Sequence, residues 1–71
     1  MAIPGDVVRF NDADKVVVDV TEDGIAVLRD PGDLELTNPE AAQVDTLEVV
    51  GHLEALPGWT EVSPGEWQAD S

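Results

Sequence analysis

The sequence has no cysteine and no tyrosine, a single phenylalanine and a single histidine, and three Lys+Arg residues against 16 Asp+Glu. The missing cysteines exclude disulfide staples and thiolate zinc sites. The scarcity of cations argues against phosphate chemistry, because nucleic-acid backbones and anionic membrane surfaces are bound by clustered Lys and Arg, and Arg9, Lys15 and Arg29 are the whole supply. No apolar run approaches the ~20 residues of a membrane-spanning helix, and no charged-then-apolar start reads as a signal peptide. The expectation is therefore a protein not secreted by a signal peptide.

What is present is a short, acidic, moderately apolar chain. It has 71 residues, a formal charge of −13 and a hydrophobic fraction of 42%. That length supports one domain and excludes a two-domain enzyme with a cleft between halves. Area scaling for this mass has roughly 60% of the unfolded surface buried on folding, a thin margin, and self-repulsion among the acids thins it further. The apolar fraction is too high for an acidic disordered tail. A folded domain that gains stability from neighbouring chains is expected, although surface charge also serves plain solubility.

Short strands separated by turns fill the first half. Asp6 to Phe10 follows Pro4-Gly5 and ends at Asn11-Asp12-Ala13-Asp14. Lys15 to Val20 alternates, with Val16, Val18 and Val20 on one face, and Asp23-Gly24 suits the positive φ values of a tight hairpin turn before a return strand over Ile25–Arg29. Asp30-Pro31-Gly32-Asp33 reads as the next turn, and Leu34–Thr37 alternates again. Asn38-Pro39-Glu40 has the marks of a helix start, so one helical turn is expected at 39–43 and a fifth strand at 46–50. The alternative is a continuous helix over 39–55. Beyond Gly51, Trp59–Val62 and Glu66–Gln68 flank Ser63-Pro64-Gly65 as a small hairpin that carries both tryptophans.

This pattern predicts an all-β fold: a small five-stranded barrel over 1–51 with one short helical turn, and a C-terminal Trp-bearing appendage over 52–71. Closure would remove exposed strand edges. The inward set would be Val8, Phe10, Val16, Val18, Val20, Ile25, Val27, Leu34, Leu36, Leu47 and Val49. An outward set, Val7, Val17, Leu28 and Val50, would be covered by the appendage or by another protein. Gly5-Asp6-Val7-Val8-Arg9-Phe10, the Asp23-Gly24 hairpin and the closing Leu47-Glu48-Val49-Val50 resemble the start, middle and end of SH3-like and KOW-like small barrels. Nucleic-acid-binding members use basic loops, whereas the loops here carry Asp12, Asp14, Glu22, Asp23, Asp30 and Asp33. In size, charge and residue usage the chain is also similar to accessory virion proteins of tailed phages, such as capsid-decoration or head–tail proteins, a resemblance that implies a virion or cytoplasmic location.

Catalytic constellations are sparse. Nucleophilic catalysis needs an activated nucleophile beside a base; the serines are Ser63, in a turn, and Ser71, and His52 is the only imidazole. Carboxylates are too plentiful to single out an acid–base pair. Asn11-Asp12-Ala13-Asp14 and Asp30-Pro31-Gly32-Asp33 cluster oxygens, but the calcium-loop spacing fails at Val16. No catalytic residue, cofactor or metal ligand is assigned. The expected function is a non-enzymatic structural or protein-interaction module, an accessory virion protein in its sharpest form. It would bind a protein partner or itself, including a multi-copy shell, and neither nucleic acid nor membrane. Its interface would comprise Val7, Val17, Leu28, Val50, Leu53, Leu56, Trp59 and Trp67, the tryptophans as anchors. The alternative is an acidic regulatory binder that blocks the basic nucleic-acid site of another protein.

Overall fold

In the computed structural model residues 1–70 are described, and Ser71 lies outside them. The valine-rich segments form strands, as β-branched residues favour a pleated, half-buried surface: β1 (Asp6–Phe10), β2 (Ala13–Val20), β3 (Ile25–Arg29), β4 (Glu40–Gln43), β5 (Glu48–His52), β6 (Trp59–Ser63) and β7 (Glu66–Ala69). The first five make one antiparallel sheet in the order β4-β3-β2-β1-β5, and β6 and β7 pair separately as a hairpin. The fold is all-β, with a 3-10 turn at Val44–Thr46 between β4 and β5. No pairing joins β4 to β5 among the described residues, so the sheet keeps two edges instead of closing into the expected barrel.

Turn chemistry sets the hairpins. Phe10 pairs with Ala13 across Asn11 and Asp12, whose φ values of 51° and 63° both lie in the left-handed region that a two-residue hairpin loop needs. Gly24, at φ 79°, closes the β2–β3 turn. Two expectations fail in the connection to β4. Leu34–Thr37 is a looped turn instead of a strand, and the segment expected as a helical turn over 39–43 contains strand β4. The Asn-Pro helix signal loses to a sheet edge: Ala42 and Ala41 fall opposite Ala26 and Val27, and pairing with β3 satisfies the backbone. The continuous helix over 39–55 is excluded by β4 and β5.

The core is Ala2, Val8, Val17, Ala26, Leu28 and Val44, with Phe10, Val20, Ala42 and Leu47 packed against it. This corrects the assignment of faces. Val17 and Leu28, expected to point outward, are 1% and 0% exposed. Val18, Leu34, Leu36 and Val49, expected inside, are exposed, and Val16 is buried on the opposite face from Val8. In β2 the cause is a bulge, whereas Leu28 sits in β3 in the phase opposite to the expected one and Leu34 and Leu36 lie in a turn. Between β2 and β3, Val17 pairs with Leu28 and Asp19 with Val27, so Val18 is an extra residue. An inserted residue reverses the in/out parity beyond it. Val17 and Val20 therefore share the core face, and Val18 is thrown out to the other side. The total surface, 4740 Å², exceeds the about 4,300 Å² that mass scaling gives, in keeping with an open sheet and an added hairpin.

Candidate functional site: an apolar groove

The β6–β7 hairpin docks on the N-terminal segment. The Trp67 indole Nε1–H donates to the Pro4 carbonyl at 3.0 Å. Its ring lies over Gly5, whose φ of 94° and missing side chain both permit the contact. Gly5 also ties two strands together: its N–H donates to Val17 O at 2.8 Å, and its carbonyl accepts the Leu53 N–H at 2.9 Å. The carbonyl of Val17 is thus taken by the N-terminal segment next to the bulge.

Between this hairpin and the outer face of the sheet runs a groove of about 280 Å³. It is lined by Pro4, Gly5, Val16 and Arg29, by Val18, Leu34 and Leu36, and by Leu53, Leu56, Trp59 and Trp67 from the C-terminal segment. Of the eight large hydrophobic residues that the described chain leaves exposed, four (Val18, Leu34, Leu36 and Trp59) meet here. Arg29 is its one charged lining residue, 7% exposed. It turns its Nη1 to the carbonyls of Asp30 and Pro31, both at 3.1 Å, and so holds its own turn.

The wall carrying Leu34 and Leu36 is built by one carboxylate. Asp33 Oδ1 accepts from the Thr37 N–H at 3.0 Å and the Thr37 hydroxyl at 2.8 Å, and Oδ2 accepts from the Asn38 N–H at 3.0 Å. The Asn38 and Thr37 amides, with the Thr37 hydroxyl, hold the Asp33 carboxyl below its usual value. Caged this way, Leu36 takes a φ of 56°. A left-handed leucine is strained backbone, and such strain persists only where surrounding contacts over-determine it.

A second cluster joins the hairpin to the sheet on the other side of Trp67. His52 Nδ1 lies 2.6 Å from Asp6 Oδ1, and Nε2 lies 2.7 and 2.9 Å from the two Glu61 oxygens. The imidazole stacks on Trp67 with centroids 6.1 Å apart. The hydrogen bond to Asp6 raises the His52 pKa above its usual 6.5, against the opposing effect of burial, and Glu61 adds to the rise. Glu61 is lowered, first by the Gly65 N–H and then by His52. Ser63 lines the same shallow depression, yet both ring nitrogens face carboxylates, leaving neither to activate its hydroxyl.

Of the residues expected at an interface, Leu53, Leu56, Trp59 and Trp67 are brought together in the groove wall. Val17 and Leu28 belong to the core. Val50 is exposed on edge strand β5, and Val7 is half-buried opposite Val16. The sequence reading missed Val18, Leu34 and Leu36, having placed them inside. Neither acidic turn gathers around a common centre: Asp14 sits 3.7 Å from Arg9, Asp30 pairs with Lys15, and Asp33 serves its own loop. Among the described residues no group of three or more His, Asp or Glu is arranged to hold a metal ion, and no helix is long and apolar enough to cross a membrane. The sequence matches no family model, and the comparisons with curated proteins and with solved structures return no match.

Proposed function

We propose that the chain is a non-enzymatic protein-interaction module whose groove takes an apolar segment of a partner flanked by basic residues. The observation that carries this reading is the convergence of Val18, Leu34, Leu36 and Trp59 on one concavity, with Leu36 held in a strained conformation that presents it there. Apolar walls supply affinity by excluding water, and aromatic anchors dominate interface energetics.

Charge chooses the occupant. All three cations are engaged within the chain: Arg9 with Asp14, Lys15 with Asp30 and Glu40, and Arg29 with backbone carbonyls. The surface is left acidic, with Asp19, Glu35, Glu54 and Glu66 each next in sequence to a groove residue and exposed. A second copy, also at −13, would be repelled, whereas lysines and arginines flanking an apolar anchor would be steered in. An accessory virion protein attached to a multi-copy shell is the sharpest form of this function. The same acidity supports a second reading, an inhibitor seated on the basic nucleic-acid site of another protein.

Two synthetic peptides test the reading, one with leucines flanked by lysines and one with glutamates replacing the lysines. The lysine peptide is expected to change the tryptophan emission and to retain measurable affinity at high salt, with binding lost in Val18→Asp. No response to either peptide, or equal binding by Val18→Asp, would refute the groove. Binding that vanishes with salt and ignores Val18 would favour the acidic inhibitor. A salt-resistant oligomer dissolved by Val18→Asp would make the occupant a second copy.

A further inference from the structure

His52 is the only histidine, and it stands where three parts of the chain meet. It ends β5, it faces Asp6 at the start of β1 and Glu61 in β6, and it stacks on Trp67 of β7. The titratable groups facing the ring are Asp6 from β1 and Glu61 from β6; β7 faces it with the uncharged indole. Asp6 is fixed from behind, since its Oδ2 accepts the Ile3 N–H at 2.9 Å, and Glu61 Oε2 accepts the Gly65 N–H, also at 2.9 Å.

This geometry fixes the proton count on the ring. Ionised carboxylates only accept hydrogen bonds, and a neutral imidazole has one N–H and one lone pair. With both ring nitrogens within 2.6–2.9 Å of carboxylate oxygens, only the imidazolium donates to both. Removing one proton leaves a nitrogen lone pair against carboxylate oxygens on one side. The contact that gives way is the one with Glu61, whose side chain is 24% exposed against 10% for Asp6, because water reaches Glu61 more readily. The flat cation over an indole face adds to the closed form.

We propose that His52 is a proton-operated clasp between the sheet and the β6–β7 hairpin, shut when the ring carries two N–H groups and loosened when it carries one. Trp67 has one side against His52 and also lines the groove, so the clasp sets the position of a groove wall. That last consequence rests on the groove reading above; the clasp itself does not. The Trp67–Pro4 bond and the packing of Gly65 against Ile3 stay in place when the clasp opens, so the hairpin shifts instead of leaving.

The experiment is a pH titration of the free protein from about pH 5.5 to 9, the window in which histidine changes charge. The His52 ring is followed by NMR, together with the β6–β7 amides and the tryptophan emission. His52 should titrate above 6.5, its ordinary value, and the amides and emission should move with the same midpoint. Glu61→Gln replaces an acceptor by an amide that donates to the neutral ring, so in this variant His52 should still titrate while the β6–β7 amides stay flat across the range. His52→Gln should lose both the ring titration and the amide response. A His52 midpoint at or below 6.5, hairpin signals that ignore the histidine midpoint, or a Glu61→Gln variant that keeps the wild-type amide response would each overturn the clasp. None of these readouts needs a partner. Affinity for the lysine peptide, expected to fall severalfold with rising pH in the wild type and not in Glu61→Gln, tests the link to the groove separately.

Discussion

The indole of Trp67 rests so closely on Gly5 that a Cβ there would lie 2.7 Å from its Cζ2 and Nε1 atoms. Position 5 therefore admits glycine alone, by contact as well as by its φ of 94°. Gly5→Ala should cost about 1–3 kcal/mol, the range for overpacking a tight site, and should red-shift the tryptophan emission as the indole is displaced. Urea denaturation with the emission spectrum of the native baseline checks both. An unshifted spectrum would mean that the ring moves without undocking.

The corrected faces make a sharp contrast between two residues of the expected outer set. Leu28→Ala should cost about 2–5 kcal/mol, a large part of the about 4–11 kcal/mol that a chain of this length is expected to have. Val50→Ala, on the exposed edge strand β5, should change stability by no more than about 0.5 kcal/mol. Equilibrium denaturation of the two variants is sufficient.

Asp33 shapes one groove wall without touching the core. In Asp33→Ala, amide exchange at Thr37 and Asn38 should accelerate strongly while the β1–β3 amides keep their protection, and peptide binding should weaken. Because its carboxyl is held below the usual value, the loop's stabilisation is complete above about pH 3.8 and is lost as pH falls through the lowered value. Exchange rates at two acidic pH values check the direction.

Lys15, 8% exposed, reaches Asp30 and, at 2.7 Å, Glu40 from a β2 position paired with Val8. The hydrogen bonds to Asp30 and then Glu40 raise its pKa above 10.5. Their stabilisation is complete below 10.5 and is lost as pH rises through the raised value. Thermal melts on the alkaline side should show a falling midpoint that flattens in Lys15→Met.

Strands β1, β2 and β3 and the β6–β7 hairpin were legible because their signals are local. Asp23-Gly24 and Asn11-Asp12 specify turns through backbone φ, and the boundaries of β1 and β3 follow the valine-rich runs. The faces of β2 were not legible, because the Val18 bulge is a property of pairing between two strands and leaves no mark in the sequence of one. The helix start at Asn38-Pro39 misled for the same reason: local propensity gave way to the edge of β3. In the site, the tryptophan-bearing hairpin was read from its composition, and its docking depends on Gly5, more than fifty residues away. Leu34 and Leu36 were read as strand alternation. The cue that could have corrected this is Asp33 four residues before Thr37, a spacing suited to a side chain closing a loop on its own backbone. The partners of His52 come from β1 and β6 and could not be read from any single stretch.

The sheet's two free edges have a consequence for handling and storage. β4 and β5 each present an unpaired row of backbone donors and acceptors, and β5 also exposes Val49 and Val50. Such a strand is a template for adding another, and natural sheets discourage this with charge. Here the charge is almost all carboxylate, so it fades near the isoelectric point of about 4.1. As pH falls toward that value, folded neighbours lose their mutual repulsion while keeping matching edges. Strand-to-strand stacking into fibres would then proceed from the native state, without prior unfolding.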